Sequence, residues 1–333
     1  MNQRRALGDG SVFSVGLGCM NVSHAYGDLP DAESAGRLFL AAIDQGVDFF
    51  DTAALYGFGE NEKLLGQFLK NHRHRFVLAS KCGMTGVNGK RVIDGRPETI
   101  KATCDQALAR LQTDVIDLYY LHRLDFAVPI EESVGALSDL VKAGKIRGVG
   151  LSEVSAETIR KAHAVHPIMA VQSEYSLWTR EPEIAVIQTC RDIGAAFVAF
   201  SPLGRGFFGG ELTDPGSQLQ RGDIRLQMPR FMAENYPHNL QLLPQLRSIA
   251  DQAGCTMAQL ALAWILNRYP EMLVIPGTRS IDHLRDNVAA ASIVLDTSVM
   301  TALDQLVNRQ TVSGERYNQA TQEEIDTEQF LDR

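Results

Sequence analysis

The amino-acid sequence predicts a (β/α)8 barrel of the TIM type, an α/β fold with parallel strands. Eight short apolar runs alternate with amphipathic helical segments over about 280 residues, which suits such a barrel. Parallel strands need helical crossovers, so the alternation favours a parallel sheet. A doubly wound sheet is the structural alternative, but it normally has fewer strands and a glycine-rich first turn, which this sequence lacks.

Each predicted strand is rich in Val, Ile, Phe and Tyr, and Gly or Pro often stands nearby. The predicted strands are 14–17, 47–51, 76–81, 115–122, 146–152, 170–176, 196–202 and 273–277. The helical segments show apolar residues on one face, with Gly46 closing the first helix and Pro97 opening the second. The predicted helices are 31–45, 98–111, 129–143, 155–165, 183–193, 257–267, 281–290 and 298–308.

Two regions depart from this alternation. Segment 204–237 is long, Gly-rich and irregular, which predicts a functional loop at the barrel mouth. Beyond the barrel, about 14–290, the chain adds a helix and a polar tail within 291–333. No linker separates these parts, so we predict a single domain over 1–333.

Composition narrows the classes of function. The formal net charge is −8, with acids and bases mixed along the chain, which argues against a nucleic-acid partner. The five cysteines show no metal-ligand spacing, so we expect reduced thiols and no metal site. Arg4-Arg5 precedes an acid and two glycines rather than an apolar segment, so no export signal is predicted. No apolar run is long enough to span a membrane, and we expect a soluble cytoplasmic protein.

Polar side chains stand where three of the predicted strands end. Asp51 ends the second strand, Lys81 the third and His122 the fourth, and Tyr56 follows Asp51 on the loop. The C-terminal strand ends of such a barrel build the active site, so these side chains are expected to meet there. Any one of them alone would more often be structural than catalytic; their joint spacing favours a reaction centre.

The four groups suit general acid chemistry. A buried ammonium at Lys81 is expected to lower the pKa of Tyr56 from about 10, while Asp51 holds that ammonium charged. His122 is expected to orient a carbonyl oxygen or relay a proton. The predicted arrangement is therefore a tuned general acid beside an oxyanion site.

Several segments together resemble the aldo-keto reductase superfamily. They are 46–57 (GVDFFDTAALYG), 118–125 (LYYLHRLD), 144–152 (GKIRGVGLS), 172–177 (QSEYSL) and 275–279 (IPGTR). The resemblance runs from about Gly16 to Ala290, and the motifs agree in order and spacing. It implies NAD(P)H-dependent carbonyl reduction on a small-molecule substrate, with Asp51, Tyr56, Lys81 and His122 as the catalytic tetrad.

The resemblance also implies cofactor contacts. Ser152 and Gln172 would hold the carboxamide, and Phe200, in place of a frequent Tyr, would stack beneath the nicotinamide. The remaining contacts would be, along the pyrophosphate, Ser201, Leu203, Gly204, Arg205 and Gly206 and, at the adenosine end, Thr278, Arg279, His283, Asp286 and Asn287. Glu153 departs from the Asn usual in the family after the strand-five Ser, which puts one carboxamide contact in question.

Arg279 underlies the prediction of NADPH over NADH. It follows the last predicted strand and precedes a helix, so its guanidinium is expected beside backbone N–H groups that favour a phosphate. Relatives often carry a lysine where Gly277 stands, so the preference is expected to be moderate.

Other patterns favour plainer interpretations. Gly204-Arg205-Gly206-Phe207-Phe208-Gly209 matches GxGxxG, but no helix and acidic second strand follow at the required distance, so it is not a Rossmann fingerprint. The two histidines of 71–75 are expected in a solvated turn rather than on a metal. About half of a set of apolar residues should face the substrate: Phe58, Met84, Leu124, Trp178, Phe207 and Phe208.

Two further functions stay open. One is a redox-sensing NADP(H)-binding regulatory subunit with little turnover. Such a subunit would bind the cofactor but reduce carbonyl compounds negligibly, which distinguishes it from a reductase. The other is a Schiff-base lyase using Lys81, which Asp51 opposes because such a lysine must be neutral. The sequence identifies neither the substrate nor the oligomeric state.

Overall fold

A computed structural model describes residues 3–87 and 90–330 of the chain. Its strands, in chain order, are β1 Arg4–Leu7, β2 Gly10–Phe13, β3 Leu17–Gly18, β4 Phe49–Asp51, β5 Val77–Cys82, β6 Met84–Val87, β7 Lys90–Ile93, β8 Ile116–Leu121, β9 Ile146–Ser152, β10 Ile168–Glu174, β11 Ala196–Phe200 and β12 Leu273–Ile275. Its α-helices are α1 Ala32–Asp44, α2 Glu60–Leu69, α3 Pro97–Leu111, α4 Ile130–Lys142, α5 Ala156–Val165, α6 Val186–Ile193, α7 Pro215–Gln218, α8 Tyr236–Leu240, α9 Leu243–Gln252, α10 Met257–Arg268, α11 Ile281–Ala289, α12 Thr297–Leu306 and α13 Gln319–Gln322.

Eight strands form one parallel sheet in the order β12-β11-β10-β9-β8-β5-β4-β3. Parallel bridges from Val15 to Val274 and from Gly18 to Gly277 join the first strand to the last and close the barrel. The predicted (β/α)8 architecture is confirmed. The first strand is shorter than predicted, because only Leu17 and Gly18 pair regularly with β4.

An antiparallel hairpin, β1 with β2, precedes the barrel and was not predicted. Leu7 and Val12 from this hairpin are buried in one cluster with side chains of the barrel strands, among them Phe49, Leu118 and Val198. The hairpin therefore adds apolar side chains to the inner core of the barrel.

The helices cover the outside of the sheet. Helix α1 begins at the predicted position, where Asp31 accepts a hydrogen bond from the Ser34 backbone N–H over 2.7 Å, and it buries Leu38 and Phe39. Helix α5 is capped by Ser155, the first residue of the predicted helix, whose hydroxyl accepts from the Thr158 N–H over 3.2 Å. Helices α2 and α9 were not predicted.

The loop at 204–237 and the tail meet above the barrel. The loop contains short helical turns and an aromatic cluster, described below, and the Asn318 amide donates to the Gln227 carbonyl over 3.3 Å. Asp326 of the tail accepts hydrogen bonds from the Ser155 backbone N–H and hydroxyl, over 3.0 and 2.8 Å. Its own N–H donates to the Glu153 carbonyl over 3.1 Å. The tail is thus fixed beside the C-terminal end of β9.

In the described ranges, no helix combines the length and hydropathy needed to cross a membrane.

Candidate active site

The four expected catalytic side chains lie together at the C-terminal end of the barrel. Asp51 ends β4, Lys81 lies near the end of β5, His122 follows β8, and Tyr56 begins a short helical turn after β4. All four are buried, with Lys81 at 0% exposure. The buried strand residues before them hold these polar groups in place. Asp51, Tyr56 and His122 line a cleft, and Lys81 lies behind them.

Lys81 is surrounded by oxygen atoms. Its ammonium donates hydrogen bonds to the Asp51 carboxylate, to the Thr52 carbonyl over 2.8 Å and to the Tyr56 hydroxyl over 3.4 Å. Burial is the largest single effect and lowers the pKa of Lys81, but the attraction of Asp51 and Tyr56 together exceeds it and raises the pKa above its usual value. The pair therefore presents a fixed positive charge to Tyr56.

Tyr56 faces the cleft between two imidazole rings. Its ring lies parallel to that of His24, with centroids 6.1 Å apart, and edge-on to that of His122 at 5.8 Å. Burial raises the pKa of Tyr56, and Lys81 offsets only part of that effect. The expected net lowering is therefore wrong, because desolvation exceeds the attraction of the ammonium. The hydroxyl keeps its proton at neutral pH, as a proton donor must.

His122 is held as a neutral ring. Burial lowers its pKa well below 6.5, and the charges of Arg123 and Lys81 lower it further. Among the described residues, no hydrogen-bond partner reaches its buried Nδ1 atom. The ring lies edge-on to Tyr56 and lines the cleft, so a neutral His122 can offer a ring N–H to a bound molecule there.

A cleft of about 790 Å³ opens from this group. Ten of the expected cofactor residues line it: Ser152, Gln172, Phe200, Ser201, Leu203, Arg205, Gly206, Thr278, Arg279 and His283. Gly204, Asp286 and Asn287 do not line the cleft. Asn287 is buried on α11, and Gly204, the first residue of the loop, packs against Trp178 and Phe208.

Two residues expected at the carboxamide make other contacts. Gln172 donates from its amide nitrogen to Asp51 over 2.8 Å, and Arg123 donates to the Ser152 hydroxyl over 3.4 Å. Glu153, which stands in place of the usual Asn, is buried, with its Oε1 accepting from the Glu174 N–H over 2.8 Å. Glu153 therefore faces away from the cleft and offers it no carboxamide contact.

Glu153 belongs to a buried charge network that was not predicted. Its Oε2 lies 2.8 Å from Nη1 of Arg316, and Arg316 also pairs with Glu174 over 3.2 Å. Arg205 donates to the same Glu174 carboxylate over 2.7 Å, and both arginines donate to the Tyr317 hydroxyl. Burial alone would raise the pKa of Glu174, but the arginines hold it at about 2. The network joins two strand ends, the loop and the tail.

Arg279, the expected phosphate ligand, lies at the opposite end of the cleft. Its guanidinium donates to the backbone carbonyls of Tyr26, over 3.2 Å, and of Asp28. These carbonyls belong to the loop after β3, which also contacts segment 204–237 through a hydrogen bond from the Ile224 N–H to the Ala25 carbonyl over 3.0 Å. Arg279 therefore closes one wall of the cleft.

Of the six candidate substrate-pocket residues, only Met84 lines the cleft. The expectation that about half of them would face the substrate is therefore wrong. Trp178, Phe207 and Phe208 pack against one another, with the Trp178 and Phe207 centroids 4.4 Å apart, and form the core beneath loop 204–237. Leu124 packs against the main core, and Phe58 is 51% exposed outside the cleft lining.

Several cleft residues were missed by sequence reasoning. They are His24, Arg91 and Arg123 near the candidate tetrad, and Tyr317, Asn318 and Thr321 from the tail. Arg123 had a signal, because it follows His122 directly. The tail residues had none, since only tertiary contacts bring them to the barrel.

The five cysteines are free thiols, and four of them are buried. Cys82 follows Lys81 on the strand but packs in the main core, and burial raises the pKa of its thiol, so this group is an inert neutral thiol. Within residues 3–87 and 90–330, no group of three His, Cys, Asp or Glu side chains could hold a metal ion.

The sequence of this chain is similar to those of known proteins. The sequence model described as "Aldo/keto reductase family" matches residues 14–308. A curated relative from Glycine max, "Probable aldo-keto reductase 1", is 41% identical over 312 residues, which are 92% of this chain and 88% of the relative.

Solved structures show the same fold. The glycerol dehydrogenase of Gluconobacter oxydans superimposes with a TM-score of 0.82 at 26% identity, covering 93% of this chain and 96% of that chain. An aldo-keto reductase from Klebsiella pneumoniae, solved in complex with NADPH, gives a TM-score of 0.72 at 26% identity, covering 96% and 99%.

Proposed function

Because the chain belongs to the aldo/keto reductase family, an NAD(P)H-dependent class of oxidoreductase, we propose that it uses NADPH to reduce an aldehyde or ketone to an alcohol, with Tyr56 as the proton donor. The observation that carries the proposal is the Tyr56 hydroxyl, which lies 3.4 Å from the Lys81 ammonium at the inner end of the cleft.

The cleft fits the cofactor chemically. Phe200 offers an apolar ring at the tetrad end, where a nicotinamide would lie. Thr278 offers a hydroxyl along the rest of the cleft, where phosphates would lie. Arg205 and Arg279 also line this part and would add positive charge there, beside their contacts with Glu174 and with backbone carbonyls. The relative from Klebsiella pneumoniae was solved with NADPH, which supports the same choice here. When bound, NADPH supplies the hydride.

The side chains of this protein handle the oxygen of the substrate. The Tyr56 hydroxyl gives its proton to the carbonyl oxygen as that oxygen gains negative charge. Lys81 stabilises the phenolate left behind, and Asp51 keeps Lys81 charged. Neutral His122 donates a hydrogen bond that orients the carbonyl. The product is an alcohol with one proton from Tyr56.

This arrangement disfavours a Schiff base on Lys81. Such a lysine must be neutral to attack a carbonyl, whereas Asp51 raises the pKa of Lys81. Borohydride in the presence of carbonyl substrates should trap no adduct on Lys81.

The test is NADPH oxidation, followed optically, with a panel of aldehydes and ketones. We expect turnover of at least one carbonyl compound by the native protein, and none above background without enzyme. Tight binding of NADPH with no turnover of any carbonyl would contradict the proposal and favour a regulatory binding protein.

A further inference from the structure

Arg123 lies at the reacting end of the cleft. It follows His122 directly, lines the cleft and is half-buried. Its Nη1 atom donates to the His122 carbonyl over 2.8 Å and to the Ser152 hydroxyl over 3.4 Å. These two contacts hold the guanidinium beside the candidate tetrad and leave most of its five N–H donors for another group.

The other arginines of the cleft are engaged. Arg205 pairs with Glu174 over 2.7 Å, Arg225 pairs with Asp223 over 2.7 Å, and Arg91 pairs with Glu324. Arg279 donates to backbone carbonyls at the far end. Among the residues that the structure describes, no carboxylate pairs with Arg123. Its charge faces the cleft without a counterion from these residues.

The charge of Arg123 is felt at the reaction centre. After burial, it is the largest contribution that lowers the pKa of His122, ahead of Lys81. It also opposes, in small part, the effect of burial on the pKa of Tyr56. The hydrogen bonds to the His122 carbonyl and the Ser152 hydroxyl, over 2.8 and 3.4 Å, place the guanidinium beside the carbonyl site, within reach of a neighbouring group of the same substrate.

We infer that Arg123 recognises a carboxylate on the substrate, so that the preferred substrates are aldehydes or ketones that carry a carboxylate. This inference rests on the proposed carbonyl reduction. A guanidinium presents a planar fork of donors that matches a carboxylate in bidentate fashion, and the match strengthens where water is partly excluded. Arg123 thereby acts on substrate choice, through a contact separate from proton transfer.

The experiment compares two substrates of nearly equal shape: 4-carboxybenzaldehyde and its methyl ester. We expect the native protein to reduce the acid with the higher kcat/KM. Arg123→Gln should lower kcat/KM for the acid by about 10- to 100-fold, the worth of a charged hydrogen bond, and change that for the ester less than about threefold. Arg123→Lys should retain part of the preference.

Arg91→Gln is the matched control, because Arg91 also lines the cleft but pairs with Glu324. It should keep the ratio of acid to ester. Equal losses for both substrates in Arg123→Gln would overturn the inference and make Arg123 a positioning residue for Ser152. A preference shown only for glyceraldehyde 3-phosphate over glyceraldehyde would overturn the choice of a carboxylate.

A binding measurement separates this inference from the proposed function. Benzoate titrated into the protein in the presence of NADP⁺ should bind the native protein about tenfold more tightly than Arg123→Gln, even if no carbonyl is turned over. The same benzoate affinity in both proteins would overturn the carboxylate site, whatever the turnover.

Discussion

Gln172 donates a hydrogen bond from its amide nitrogen to Oδ2 of Asp51 over 2.8 Å, while Lys81 occupies Oδ1 of the same carboxylate. Both oxygens of Asp51 are thus engaged from two different strands, β10 and β5. The carboxylate is 2% exposed and cannot reorient without breaking one of these bonds. Asp51 is therefore a fixed anion that positions Lys81.

Replacing Asp51 with Asn should lower both stability and rate. The change leaves the buried Lys81 ammonium without its anionic partner, which costs roughly 3–5 kcal/mol in the free energy of unfolding. Urea denaturation measures the first effect and the pH–rate profile the second. An unchanged melting temperature and profile in Asp51→Asn would contradict a coupled pair.

Replacing Tyr56 with Phe should remove most of the reduction. The ring and its contacts with His24 and His122 stay, but the proton donor is lost, which typically costs about 10²- to 10⁴-fold in kcat. NADPH affinity, measured by fluorescence titration, should remain within about twofold of native. Full turnover by this variant would exclude Tyr56 as the acid.

Acid should destabilise the protein through His122. Its pKa is well below 6.5 in the folded state, while the unfolded chain binds the proton near 6.5. The contribution of neutral His122 to the free energy of unfolding is thus complete above pH 6.5. It is lost as the pH falls below that value, by about 1.4 kcal/mol per pH unit for one histidine.

Urea titrations at several values between pH 5 and 7 should show a smaller slope of unfolding free energy against pH in His122→Gln than in the native protein. Burial also lowers the pKa of His24, so some slope should remain. Protonation of Glu174, whose pKa is about 2, lowers the free energy of unfolding only in more acidic solution. Equal slopes in the two proteins would argue that His122 is charged when folded.

Replacing Arg316 with Gln should destabilise the protein by roughly 3–5 kcal/mol, because Glu153, at 0% exposure, loses its ion-pair partner. Arg309→Gln is the control, since Arg309 lies exposed on the same tail and contacts the Phe330 ring. Adding Glu153→Gln to Arg316→Gln should restore part of the stability. Urea denaturation of the four proteins gives the result, and equal effects of the two arginine changes would exclude the buried pair as the cause.

Replacing Arg279 with Ala should weaken NADPH binding by about 1.5–3 kcal/mol, the worth of a charged hydrogen bond to the 2′-phosphate. NADH binding should barely change. Arg279 also holds the loop at Tyr26 and Asp28, so the variant could weaken binding by disturbing that loop. Titration of both cofactors separates this explanation from loss of the phosphate contact. An equal loss for NADH would show that the variant disturbs the loop, and equal native affinities would exclude a preference for NADPH.

Much of the barrel could be predicted from the sequence, because its buried strands have apolar runs with polar ends. Helix α2 could not, and the reason lies in Asn61 and Glu62. Both are fully buried, Asn61 through bonds to Thr52 and Cys19 and Glu62 through bonds to Ser80 and Arg110. Their polar character suggests an outward face, so the apolar periodicity of this helix is hidden.

The candidate tetrad could be predicted because each member stands next to a strand in the sequence. The partners of Glu153 could not. Arg316 reaches it only after the tail folds back across the barrel, and nothing near either residue signals the contact. The net pKa direction of Tyr56 was missed for a similar reason, since the degree of burial is a property of the assembled site.

The ion pairs of Glu153 and Glu174 with Arg316 also bear on how the chain folds. Glu153 directly follows β9 and Glu174 ends β10, in the middle of the barrel sequence. Yet a large part of their counter-charge comes from a residue more than a hundred positions later. A barrel formed without the tail would bury Glu153 unpaired and leave Glu174 with Arg205 as its ion-pair partner. Burying an unpaired charge is costly, so water should stay at these strand ends until the tail docks. We expect refolding to produce a barrel with a hydrated mouth first, and tail docking to be the late step that excludes water from it.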